Sequence, residues 1–69
     1  MISYKPLWRT LVDKDMGKME MIAAAGISRG TLAKMGRGER IALEVIEKIC
    51  IALECRIEDV IEIKKDPDN

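Results

Sequence analysis

Lys18-Met19-Glu20-Met21-Ile22-Ala23-Ala24-Ala25-Gly26-Ile27-Ser28-Arg29-Gly30-Thr31-Leu32-Ala33-Lys34-Met35-Gly36-Arg37-Gly38 carries the strongest local signals in the chain. Lys18 to Ala25, rich in Met and Ala, predicts a short helix. Gly26 ends it, because glycine takes the left-handed conformation that closes a helix without steric cost. Ile27 and Ser28 restart the chain. The Ser28 hydroxyl is suited to accept an amide two or three residues on, and Ile27 is placed to pack on Leu32 as a hydrophobic staple. A further helix is expected over about Arg29 to Met35, broken by Gly36-Arg37-Gly38, with a loop continuing to Ile41.

Before this stretch, Leu7, Trp8, Leu11 and Val12 recur with the period of one helical face, and Pro6 suits a first turn because no amide partner is needed there. A helix from Pro6 to Lys14 is expected, with Gly17 as its stop. After it, Leu43, Val45, Ile46, Ile49, Cys50 and Leu53 cover a wide apolar face from Ala42 to Leu53, the longest helical segment and the expected centre of the core. Its start offers no Ser, Thr, Asp or Asn cap, a defect worth ~1 kcal/mol. Ile57, Val60 and Ile61 predict one more short turn of helix. Ile2-Ser3-Tyr4 and Ile61-Glu62-Ile63 alternate in polarity, so the two ends are able to pair as a minimal two-stranded ribbon. Residues 66–69 read as a polar, frayed tail, and 1–65 as a single domain.

The 69 residues are 48% hydrophobic but only 3% aromatic, so the core must come from Leu, Ile, Val, Met and Ala, which suits packed helices. No apolar run approaches the roughly 18 residues that span a bilayer, and the N-terminus lacks a signal-peptide layout. A cytoplasmic protein is expected, with no membrane association. Cys50 and Cys55 stand without any His. Two thiols alone make no zinc site, and core packing in a reduced compartment is the expectation for both, as core or core-edge filling is for Trp8 and the methionines.

The formal net charge of zero conceals an asymmetry. Residues 1–40 carry eight bases and four acids, a balance of +4, and residues 41–69 carry the reverse. Such a molecule can present one face to phosphates. Catalysis is not expected: no nucleophile sits beside a plausible base, and no glycine-rich phosphate loop follows a strand.

Met21, Ala25, Gly26, Ile27, Ser28, Thr31, Leu32 and the Gly38-Glu39 that follows resemble the helix-turn-helix of the Cro and phage-repressor family of bacterial transcription regulators. Ile49-Cys50-Ile51-Ala52-Leu53 and Ile57-Glu58-Asp59-Val60 are similar to that family's closing helices, so the resemblance spans about residues 2 to 63, with the motif at about 18–37. It implies an all-α, compact five-helix domain. It also implies a sequence-specific regulator, a repressor, whose partner is double-stranded DNA. A reader this small contacts few base pairs, so a homodimer is expected at least on DNA, and no cofactor, metal or small-molecule ligand is expected.

On that resemblance the helix beginning at Ser28 enters the major groove while the preceding helix lies across the backbone. Leu32 and Met35 face inward, leaving Arg29, Gly30, Ala33, Lys34 and Arg37 outward. Gly30 and Ala33 permit close approach, Ala33 against a thymine methyl, and Arg29 or Lys34 reads guanine. Ser28 and Thr31 suit phosphates near the helix N-terminus, and Lys18, Arg37 and Arg40 clamp phosphates on either side. Two positions depart from the family pattern: Lys18 stands where many members carry Gln, and Ile22 where they carry Ala. Gly30 inside the helix also costs roughly 1 kcal/mol relative to Ala.

The bland alternatives stay open. Arg29, Lys34 and Arg37 also suit an ordinary solvated face, Gly30 a tolerated helix defect, and Ser28 a cap alone. The competing function is a protein-interaction or antitoxin-like module on the same fold, separable from DNA binding by its weak salt dependence.

Overall fold

The computed structural model describes residues 1–65; the polar tail read at 66–69 lies outside them. The order is β1 (Ile2–Ser3), α1 (Lys5–Asp13), α2 (Lys18–Ala25), α3 (Arg29–Gly36), α4 (Leu43–Leu53), a single 3-10 turn (Ile57–Asp59) and β2 (Glu62–Ile63). The expectation of five helices is corrected to four α-helices and that turn. Ile57-Glu58-Asp59 is too short to close an α-helical ladder, and the Arg56 amide is satisfied by the Asp59 carboxylate at 3.0 Å. The ribbon forms: β1 and β2 pair antiparallel, Ile2 opposite Ile63 and Ser3 opposite Glu62. The Lys64 amide to the Met1 carbonyl, 2.7 Å, extends the ladder by one residue.

Tyr4, Leu7, Leu11, Met21, Ile22, Met35, Ile46, Ile49, Leu53 and Val60 form one buried cluster. α4 supplies three of its members and α2 two, and these two helices make the most extensive helix–helix contact. Trp8, Met16, Ile27, Leu32, Cys50 and Cys55 are half-buried against it. Burial pushes both thiols above their ordinary range, as expected of cysteines that pack on a core.

Two apolar residues read as core are not. Val12 is 76% exposed and Leu43 73% exposed, each at the edge of its helix's apolar stripe, beyond the arc its neighbours cover. Met19, at 49%, stands partly in solvent.

Gly17 does not stop α1. Asp15 does, at φ 54, with its amide bonded to the Val12 carbonyl and that of Met16 to Leu11 at 2.9 Å. These are the paired bonds of a left-handed helix closure, and aspartate tolerates that conformation better than most residues. Gly17 instead precedes α2, its amide bonded to the Glu20 carboxylate at 3.1 Å. Ala42 heads α4 without a side-chain cap, as the sequence predicts.

Candidate nucleic-acid interface

The turn between α2 and α3 is the local device that aims the site. Gly26 lies at φ 69, with its amide bonded to the Ile22 carbonyl, and closes α2. Two residues later Ser28 is extended (φ −88, ψ 161) and its hydroxyl accepts the Thr31 amide at 3.1 Å, so α3 begins where the sequence predicts. Ile27 and Leu32 both rest on the core, and Met35, 1% exposed, is the one buried residue of α3. The eight-residue helix is thereby held by its N-cap and its inner face, and the rest of its surface is left to solvent.

On that surface stand Arg29, Gly30, Ala33 and Lys34, all exposed, with no carboxylate anywhere in α3. Thr31 is half-buried and its hydroxyl lies 3.0 Å from the Ser28 hydroxyl, so the two polar groups nearest the helix start are turned toward one another as well as toward solvent. A Cβ placed on Gly30 would meet nothing closer than the Ser28 hydroxyl, 3.7 Å away, an ordinary contact. The protein's own packing therefore does not require glycine at position 30.

Beyond α3, Gly38 at φ 72 turns the chain into the loop that carries Arg40. The loop is anchored from a distance: the buried Tyr4 hydroxyl donates to the Glu39 carbonyl at 2.6 Å. Burial pushes the Tyr4 phenol above its ordinary range, against the lowering effect of a backbone hydrogen bond from Ile41, and keeps it a neutral donor. Arg37 is exposed but not free, because its guanidinium is paired with the Glu39 carboxylate. Arg29, Lys34 and Arg40 form no ion pair among the described residues. Lys18, first in α2 and exposed, has its ammonium 4.5 Å from the centre of the Trp8 ring.

Sequence reasoning missed three partners in this region: Trp8, Glu39 and Tyr4. Arg37 and Glu39 are two residues apart, so their opposite charges were a usable signal. Trp8 to Lys18 and Tyr4 to Glu39 cross between separate elements, and no local spacing points to them.

A family model described as Cro/C1-type HTH DNA-binding domain matches residues 6–66. The chain is 35% identical over 60 residues to YozG of Bacillus subtilis (strain 168), an uncharacterized HTH-type transcriptional regulator, across 84% of this chain and 71% of that protein. The crystal structure of the transcriptional regulator VanUg matches with a TM-score of 0.85 at 44% identity, over 88% of this chain and 81% of that one. The family match runs through the Gly26-Ile27-Ser28 turn and both helices it joins, and the chain belongs to the family of Cro/C1-type helix-turn-helix DNA-binding domains.

Proposed function

We propose that this chain is a sequence-specific transcriptional regulator that represses by occupying its operator, with α3 inserted in the major groove of double-stranded DNA. The observation that carries the reading is the outer surface of α3, where Arg29, Gly30, Ala33 and Lys34 present two bases and two minimal side chains with no acid among them. Arg29 and Lys34 supply donors for guanine O6 and N7, and Ala33 supplies a methyl contact for thymine. Ser28, Thr31, Lys18, Arg37 and Arg40 address the phosphates. Both named relatives are transcriptional regulators by their descriptions, in keeping with this role.

So small a reader spans few base pairs, and a two-fold dimer on half-sites about one helical turn apart gives the required affinity. Leu43, Ile51 and Ile57, on α4 and the turn after it, are exposed apolar side chains suited to that contact. Deletion of the closing segment does not test the dimer cleanly, since Val60 is fully buried in the core. Ile51→Glu and Ile57→Glu do, with cooperative binding to a two-site duplex as the readout.

The deciding experiment is fluorescence-anisotropy binding to a random duplex over a salt series, beside the Arg29→Ala/Lys34→Ala double variant, once circular dichroism shows both folded. Salt-sensitive binding that is lost in the variant supports insertion of α3. Absence of binding by the wild type at low salt moves the function to protein–protein interaction.

A further inference from the structure

Lys18 differs from the other candidate cations in what faces it. Its ammonium sits 4.5 Å from the centroid of the Trp8 ring, within the range at which an aromatic face attracts a cation, and it forms no ion pair among the described residues. The nearest acid along the helix, Glu20, is engaged with the Gly17 amide. Arg37 is the opposite case, with its charge already matched by Glu39. Trp8 is itself half-buried against the core, so its ring is fixed by packing and offers the ammonium a rigid plane. A lysine ammonium has three donors on a flexible stem, and a ring face restrains that stem without neutralising the charge.

We propose that Trp8 is a positioning residue for DNA binding: its indole face holds the Lys18 ammonium in place to contact a backbone phosphate. This rests on the reading of the chain as a DNA binder, and goes beyond it in assigning a role to a residue of α1. An aromatic plane contacts the ammonium from one side only, so the phosphate oxygen takes the N–H donors on the other. The lysine then reaches the phosphate with less rotamer entropy to lose. Because the effect passes entirely through Lys18, it disappears when Lys18 carries no charge.

The test is a double-mutant cycle on a random duplex at low salt with wild type, Trp8→Leu, Lys18→Met and the double variant, and Trp8→Phe as the conservative case. Thermal unfolding establishes that each is folded at the assay temperature. Trp8→Leu is expected to weaken binding about two- to fivefold when Lys18 is present, and to change nothing in the Lys18→Met background. Lys18→Met lowers the slope of log K against log[salt] by about 0.9, one phosphate contact. Trp8→Phe recovers most of the affinity. In the free wild type, the Lys18 side-chain methylene protons appear upfield through the ring current, and Trp8→Leu removes that shift. An equal loss from Trp8→Leu in both backgrounds makes Trp8 a packing residue only and overturns the proposal, as does an unaltered affinity in Trp8→Leu. Either result leaves DNA binding itself standing; a wild type that binds no duplex at any salt concentration overturns both.

Discussion

α4 buries Ile46, Ile49 and Leu53, whereas α3, three residues shorter, buries Met35 alone. The outer side of α4 and the residue that closes it carry Glu44, Glu47 and Glu54 beside one base, Lys48, against the acid-free surface of α3. The two helices are stabilised by different means. α4 forms because burial of a wide apolar face outweighs the absence of a side-chain cap. A helix as short as α3 is marginal in isolation, and it persists because Ser28 caps it, Gly26 turns the chain into it and Met35 anchors it. A helix held at few points keeps most of its surface available for a partner, and α3 has filled that surface with bases and small residues.

The largest expected effect falls on the core side of this contrast. Ile49→Ala removes a fully buried side chain from α4 and is expected to cost about 2–5 kcal/mol, a large fraction of the stability of so small a domain, as read by urea denaturation. A loss below about 1 kcal/mol would show that α4 is not the centre of the core. Ser28→Ala removes the α3 cap and is expected to cost ~1 kcal/mol, lowering Tm by roughly 4–8 °C. Ala42, which heads α4, makes no side-chain cap bond and so has none to lose.

For Gly30→Ala, stability and DNA affinity are expected to move in opposite directions. The site has room for a methyl group, so stability is expected to rise by up to about 1 kcal/mol, while binding to duplex DNA weakens if close approach to the groove requires glycine. Unaltered DNA affinity would mark Gly30 as a tolerated helix defect. The smallest effect is expected of Glu39→Gln. The exposed pair with Arg37 contributes less than ~1 kcal/mol, so Tm changes little, but a released guanidinium strengthens DNA binding measurably at low salt. Weaker binding would assign Glu39 the task of holding Arg37 in its working position.

Much of the fold was legible because its signals are local. Gly26, Ser28 and the apolar period of α4 each act within a few residues, and the Gly36-Arg37-Gly38 break placed the end of α3 to within one residue. The stop after α1 is Asp15 and not Gly17, and a left-handed aspartate carries a weaker sequence signature than the glycine two residues on. The final helix was overcounted because Ile57, Val60 and Ile61 have helical spacing whether the backbone forms an α-helix or one 3-10 turn. Within the candidate interface, the exposure of Arg29, Gly30, Ala33 and Lys34 followed from placing Met35 and Leu32 inward.

By itself the sequence determined the order of the helices, the turn that joins α2 to α3, and the basic, acid-free outer surface of α3, since caps, glycine conformations and periodicity depend only on near neighbours along the chain. Tertiary structure alone decided that Val12 and Leu43 stay in solvent, that Trp8 on α1 faces Lys18 on α2, and that Tyr4 holds the loop through the Glu39 carbonyl 35 residues away. Those outcomes depend on how the finished helices sit against one another. The width of face that each helix buries is set by its neighbours in space, and its own period specifies the direction of that face but not its edges.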